Sequence, residues 1–262
     1  MTKKIIVLGG SSGIGKATAQ RFAKEGWQVL VAAHDISECT ATVNELEGED
    51  HIACQVDVRK DEDLVKLQQL VEENFSNFDS LVNTIGISQS HSAINADFAA
   101  WDNSLQVMLY GSVKACRSLV PLIKDGGRII HVTSIHYERV ANGSSAYGMA
   151  KAAITQFTRS LSVELAHRNI LANTIAPGFV DTPMSVKADG KNEVDTEWFK
   201  DNYIKYDHLP LKRVARPEEI AGVAWFLSGP DASYITGSVV TLTGNTDGID
   251  HLCQSFLIFT ND

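Results

Sequence analysis

Only four cysteines occur in the 262 residues, and they are widely scattered. Cys39, Cys54, Cys116 and Cys253 form no CxxC pair and no metal-ligand spacing, so neither a disulfide framework nor a metal site is expected. Each reads as a small buried or half-buried thiol in a reducing cytoplasm. Cations are also in deficit: 23 Lys and Arg stand against 32 Asp and Glu, for a net charge of -9. Nucleic-acid binding needs a clustered basic face to neutralise phosphates, so no DNA or RNA partner is expected. No stretch approaches the roughly 18 consecutive apolar residues of a membrane span, which excludes a membrane partner of that kind. The opening MTKKIIVLGGSSG holds an apolar run too short for a signal-peptide core, so a cytoplasmic location is expected. There is no internal repeat and no low-complexity linker to split the chain.

What is present is ordinary for a globular protein: 44% hydrophobic and 21% charged residues. The length suits one large α/β domain or two small ones, and the missing linker favours one domain over 1–262. Apolar runs alternate with segments of helical period. Strands are predicted at 5–9, 28–33, 51–56, 80–83, 128–133, 170–175 and 238–242. Helices are predicted near 14–25, 37–47, 61–76, 97–124, 146–167 and 217–228. The strands are short, rich in Val and Ile, and apolar on both alternations, as parallel strands covered on both faces must be. The expected fold is therefore α/β, a Rossmann-type doubly wound parallel sheet of about seven strands with helices on both faces. The least regular stretch, 184–210, carries Trp198, Phe199, Tyr203 and Tyr206 among Gly, Asp and Lys. It reads either as a lid over a substrate or as a surface helical hairpin whose aromatics pack down.

Directly after the first strand comes LGGSSGIGKATA. Gly9, Gly13 and Gly15 lie where a strand turns tightly into a helix, and glycine there lets backbone N–H groups approach a pyrophosphate at the positive helix end. The spacing is Gly-x-x-x-Gly-x-Gly. It resembles the motif of the short-chain dehydrogenase/reductase family, with Leu8 where that family usually has threonine. Further signatures follow in order along almost the whole chain. Asp57 in QVDV matches an aspartate set against adenine. NTIG at 83–86 stands for Asn-Asn-Ala-Gly, keeping Asn83 and Gly86. APGFVDTPM at 176–184 resembles the segment that faces the nicotinamide, and 213–244 resembles the family's last helix and strand.

Two Tyr-x-x-x-Lys pairs occur, YGSVK at 110–114 and YGMAK at 147–151. Residues four apart share a helix face, so either pair suits a cleft. Ser134 lies thirteen residues before Tyr147, the family's interval, whereas the equivalent position for Tyr110 is Asp97. Ser134, Tyr147 and Lys151 are thus the candidate catalytic residues, and Tyr110 with Lys114 are expected to pack a helix. A free phenol has a pKa of about 10, and an adjacent ammonium together with an oxidised nicotinamide lowers it. Tyr147 is expected to act as general acid or base, with Ser134 holding the substrate oxygen. The resemblance implies that Lys151 also grips the nicotinamide ribose.

One departure stands out: Met108 occupies the place of an asparagine that holds a proton-relay water in the family. Either the relay is built differently or catalysis is impaired, and His136 is a candidate polar substitute or simply a pocket wall. The resemblance implies cofactor contacts from Gly9, Ser11, Ser12, Gly13, Ile14, Gly15, His34, Asp57, Val58, Asn83 and Gly86. It adds Tyr147, Lys151, Pro177, Gly178, Val180 and Thr182. Ala33 stands where NAD users carry an acid, and His34 follows as a phosphate contact, which favours NADP(H) over NAD(H), with Asp35 nearby as the opposing charge. Ile87, Ser88, His136, Tyr137, Phe179 and Met184 follow motif residues at strand ends and are expected to line a pocket for a small alcohol or carbonyl substrate. The resemblance further implies a homotetramer built on the helices at 97–124 and 146–167. The tail DHLCQSFLIFTND covers either a neighbouring subunit or its own sheet. The activity implied is hydride transfer between NAD(P)(H) and a secondary alcohol or ketone. The alternative is a dinucleotide-binding sensor or scaffold with little turnover.

Overall fold

Seven Val- and Ile-rich segments pair side by side, and each is short enough to need helices on both sides to hide its apolar faces. A computed structural model describes residues 2–186 and 190–244. Its strands are β1 (Lys4–Leu8), β2 (Gln28–Ala33), β3 (Ile52–Gln55), β4 (Phe78–Asn83), β5 (Ile123–Val132), β6 (Leu171–Pro177) and β7 (Val239–Leu242). All pairings are parallel, in the order β3-β2-β1-β4-β5-β6-β7. The order reverses between β1 and β4, so the crevice beyond their carboxyl ends is the switch point where such sheets bind ligands.

The principal helices are α1 (Gly13–Lys24), α2 (Ile36–Asn44), α3 (Asp61–Phe75), α4 (Phe98–Leu105), α5 (Ser112–Leu119) and α6 (Ser145–Glu164). A single turn, α7 (Glu197–Phe199), and α8 (Pro217–Ser228) follow. Helices α1, α2 and α8 cover one face through Phe22, Cys39, Ile220 and Leu227, packed on Val7, Val31 and Val82. Helices α3, α5 and α6 cover the other, with Leu67, Cys116 and Leu161 on Leu8, Leu81 and Ile129.

Two predictions need correction. The expected helix over 97–124 is interrupted by a π-helical stretch, Gln106–Gly111, and ends in a 3₁₀ turn at Val120–Leu122. The wider coil lies where Gly111 meets Val58, whose Cγ2 would sit 2.4 Å from a Cβ added to Gly111. Strand β5 begins at Ile123 rather than 128, because 124–127 forms an irregularity opposite β4 in which Gly126 takes φ 78°. In the expected lid, Phe199 and Tyr203 pack on Phe179 with ring centroids 4.9 and 4.7 Å away, while Trp198 and Tyr206 stay exposed. Residues 187–189 of that stretch, and the tail at 250–262 with Cys253, lie outside the described residues. Cys39, Cys54 and Cys116 are buried free thiols, each pushed above its usual pKa chiefly by burial.

Candidate active site

Gly9 leaves β1 with φ 74°, a conformation that costs glycine little, and Gly13 opens α1 at φ 50°. Gly15 has no room for a side chain: an added Cβ would lie 2.1 Å from the Gly9 carbonyl oxygen and 2.6 Å from Thr84 Oγ1. Thr84 itself donates to Leu8 O at 2.8 Å, fastening the end of β4 to the glycine turn. This explains a replacement within NTIG: a hydroxyl ties the two loops where the family has an amide. Asn83 Oδ1 accepts from Ile85 N at 3.0 Å and shapes the same turn. Across the crevice, Thr182 comes within 3.3 Å of where a Gly13 Cβ would stand, so the APGFVDTPM loop closes over the start of α1. Pro177 ends β6, Gly178 N donates to Leu242 O at 2.9 Å, and Val180 is buried.

Beside the glycine turn lies a recess of about 320 Å³ lined by Gly9, Ala33, His34, Asp57, Val58, Gly86 and Ile87. Arg59, Gln89, Asn103 and Val107 also line it, and no motif in the sequence marks them. Arg59 holds Asp57 through Nε–Oδ1 at 2.9 Å and Nη2–Oδ2 at 2.8 Å, and donates to Asn103 Oδ1 at 3.1 Å. Hydrogen bonds from Arg59 keep the Asp57 carboxyl at about 2, well below its usual range. The two-residue spacing of Asp57 and Arg59 was readable, but the link to Asn103 across 44 residues was not. Asp35 is not free to face the recess, because its carboxylate caps α2 by accepting from Ser37 N and Glu38 N. Ser11 donates to Glu38 at 3.0 Å, which brings a carboxylate to the glycine loop. Ser12 is the extended residue that precedes α1, with Ile14 in its first turn.

The candidate catalytic residues converge at the carboxyl end of β5. Ser134 leaves the strand extended and caps the 3₁₀ turn Ile135–Tyr137, with Oγ accepting from His136 N at 3.2 Å. Tyr147 lies in the first turn of α6, a start tied down by Trp101 Nε1 donating to Ser145 Oγ at 2.9 Å. A side-chain hydrogen bond joins Tyr147 to Ser134. Lys151 follows one turn later and is 3% exposed, with Nζ donating to Val132 O at 3.2 Å and Ile85 O at 3.3 Å. Its Nζ stands 5.5 Å from the centre of the Tyr147 ring. Burial pushes Lys151 down to about 8, so its proton is exchangeable near neutral pH. In the chain alone burial raises the pKa of Tyr147, and the Ser134 hydrogen bond offsets that only in part; the expected lowering includes a bound oxidised nicotinamide. The ammonium stands beside the ring, and desolvation is the larger influence on the phenol.

The expected pocket residues divide. Ile87 and Met108 pack beside Tyr147 in an apolar cluster with Leu105 and Ala150. Ser88 is exposed, and Met184 reaches the Gly86 side of the crevice, its Cε 3.2 Å from a Cβ built there. The His136 ring meets Tyr147 edge-on at 5.7 Å, and burial lowers its pKa. Tyr137 directs its hydroxyl to the side chains of Glu138 and Thr241, and Phe179 serves as the floor for Phe199 and Tyr203. Tyr110 and Lys114, expected to pack a helix, instead face outward: Tyr110 is 49% exposed and Lys114 pairs with Asp61 at 2.8 Å.

With this geometry in place, the relatives are informative. A family model described as Enoyl-(Acyl carrier protein) reductase matches residues 9–244. The chain belongs to the short-chain dehydrogenase/reductase family. It is 34% identical over 242 residues to an uncharacterised short-chain type dehydrogenase/reductase, y4vI, of Sinorhizobium fredii, covering 92% of this chain and 43% of that protein. The 3-oxoacyl-[acyl-carrier-protein] reductase of Mus musculus is 32% identical over 245 residues, covering 93% of this chain and 98% of its own. A dehydrogenase/reductase of Sinorhizobium meliloti 1021 superposes with a TM-score of 0.85 at 30% identity, over 94% of this chain and 96% of that one. Members of this short-chain family are oxidoreductases that use NAD(P)(H). Among the described residues no helix is long and apolar enough to cross a membrane, and no group of side chains suits a metal ion.

Proposed function

We propose that the protein transfers hydride between NAD(P)(H) and a secondary alcohol or ketone, with Tyr147 as general acid in reduction and general base in oxidation. The observation that carries this reading is a tyrosine hydroxyl bonded to Ser134, with a buried lysine one helical turn on whose Nζ stands 5.5 Å from the tyrosine ring. Ser134 steadies the substrate oxygen where charge develops, and Lys151 supports loss and regain of the Tyr147 proton through its charge. A nicotinamide bound here would supply the hydride in reduction and accept it in oxidation. The fit for a dinucleotide rests on the side-chain-free approach at Gly15, the opening of α1 for a pyrophosphate, and the recess between Ala33 and Asp57.

For the cofactor we favour NADP(H): Ala33 offers no acid, Asp35 is spent on its helix, and Arg59 joins His34 in lining the recess. Glu38 at Ser11 is the opposing charge. The substrate class is a small or medium carbonyl compound, and the resemblance to an enzyme named for 3-oxoacyl thioesters makes those the first to try. A homotetramer through the helices at 97–124 and 146–167, in one domain and in the cytoplasm, completes the proposal. A cofactor-binding scaffold with little turnover is not favoured, since matched relatives are named as reductases.

The test is a panel of carbonyl compounds and alcohols followed at the nicotinamide absorbance with both cofactors. Native protein is expected to turn over with higher kcat/KM for NADPH. Tyr147→Phe is expected to bind cofactor equally and lose about 10²–10⁴ in rate. Equal turnover by Tyr147→Phe sinks the assignment, and a preference for NADH gives Glu38 the decisive role.

A further inference from the structure

One helical segment touches both ends of the crevice. Helix α4 and the π-helical turn that continues it, together 98–111, present two faces, and helical spacing sorts their residues between them. Asn103 and Val107, four apart, line the recess beside Asp57. Leu105 and Met108, three apart, belong to the apolar cluster against which Tyr147 and Trp101 pack. Both faces are fastened as well as packed. On the recess side Arg59 Nη1 donates to Asn103 Oδ1 at 3.1 Å, while Nε and Nη2 of the same guanidinium hold the two oxygens of Asp57 at 2.9 and 2.8 Å. All three guanidinium nitrogens are thus engaged in bracing Asp57 against α4. Ser104 Oγ donates to Gln89 Oε1 at 3.4 Å, and Gln89 is another wall of that recess. Gly111, having no side chain, lets Val58 of the same wall press against the end of the π-helical turn. On the other side Trp101 Nε1 donates at 2.9 Å to the hydroxyl of Ser145, the first residue of α6 and two before Tyr147.

We propose that Asn103 is a positioning residue that couples the two ends of the crevice: by holding Arg59, and with it Asp57, to α4, it makes occupancy of the recess set the place of Tyr147 through Trp101 and the start of α6. This rests on the reading that a dinucleotide lies across the crevice with its nicotinamide at Tyr147. Tyr147 stands on the β5 side and the glycine turn at the end of β1, so the far half of that molecule falls on the β2 and β3 side. There the recess between Ala33 and Asp57 takes the adenosine half. A packed helical element anchored at both ends carries a shift at one end to the other. Tyr147 meets this segment through apolar contacts, which let it follow a small movement of α4 without breaking a hydrogen bond. The adenosine half, remote from the transferred hydride, then contributes to kcat as well as to binding.

Adenosine monophosphate added to the full chain, with no nicotinamide present, tests this without any turnover. The indole N–H resonance of Trp101, assigned by its loss in Trp101→Phe, is expected to move as the nucleotide saturates the recess. In Asn103→Ala, brought to equal occupancy by calorimetry, that movement should largely vanish. Asn103→Asp keeps an oxygen for Arg59 and should restore it. A Trp101 resonance that ignores the saturating nucleotide, or that moves equally in Asn103→Ala, overturns the proposal, and so does a chain that binds the whole dinucleotide but not the monophosphate. The kinetic counterpart uses reduced nicotinamide mononucleotide as hydride donor. Adenosine monophosphate should then raise kcat about fivefold or more in the native protein and in Asn103→Asp, and less than about twofold in Asn103→Ala. With the intact cofactor, Asn103→Ala should lower kcat more than it raises KM, whereas a raised KM at unchanged kcat makes Asn103 a wall of the recess and nothing more. Failure of the hydride-transfer reading would appear separately, as undiminished turnover in Tyr147→Phe while the Trp101 response stays intact.

Discussion

The two faces of the sheet obey different rules. Under α1 and α8 the packing is apolar and aromatic: Phe22, Trp27 and Trp225 meet edge-to-face at 5.0 to 5.8 Å around Val29 and Val31. Under α6 the lower part is equally apolar, but toward the carboxyl strand ends Asn83, His131, Lys151, Thr155 and Thr158 are all buried. Burying a polar group is costly unless it is partnered, and burying a charge more so. The carboxyl end of the α6 face, with its ammonium and an imidazole nitrogen unpartnered among the described residues, is therefore organised for chemistry, while the apolar packing of both faces supplies the stability.

The largest break in this comparison is expected on the apolar face. Phe22→Ala removes a fully buried ring and should cost about 3–5 kcal/mol in denaturant unfolding, while kcat per folded molecule stays unchanged. At the switch point between the faces, Gly15→Ala forces atoms apart in the glycine turn, with a loss of about 1–3 kcal/mol or more. Its clearer signature is loss of cofactor binding by titration calorimetry.

Lys151→Met sharpens the contrast by working in the opposite direction. Burial puts the folded pKa of Lys151, about 8, below its ordinary 10.5, so the cost of the ammonium is fully present below pH 8 and fades as pH rises toward 10.5. The variant should be inactive yet more stable at pH 7 by about 1–3 kcal/mol, with the gain vanishing near pH 10.5. Thermal melts across that range check it. The smallest effect is on the surface. Glu219, held at about 2 by two 2.7 Å bonds from Arg213, contributes stability above pH 4.5 that is lost as pH falls toward 2. Arg213→Ala should flatten that acid limb slightly, since exposed pairs contribute little.

Much of this organisation was legible in the chain. The seven strands follow from Val- and Ile-rich runs, and the glycine spacing marks the first turn because only glycine fits an atom 2.1 Å from Gly9 O. Ser134, Tyr147 and Lys151 were found through their intervals, and the structure brings them to one strand end. The π-helical Gln106–Gly111 has no signal in the sequence pattern, and its Gly111 meets Val58 of a distant segment. Arg59 is beyond the reach of the motifs for a related reason: its partner Asn103 lies in another element that neither period nor motif relates to it. The spacing shows an ammonium beside Tyr147 but not the burial that raises its pKa in the chain without cofactor.

The central claim is that Ser134, Tyr147 and Lys151 serve hydride transfer. Its most direct measurement is the transfer of deuterium from reduced cofactor labelled at the nicotinamide C4 to the carbinol carbon of the product, compared between native protein and Tyr147→Phe at equal cofactor occupancy. The account predicts label in the product of the native protein and almost none from the variant. Equal labelling by both, or cofactor bound by the native protein with no label passed to any ketone or 3-oxoacyl thioester, would contradict it.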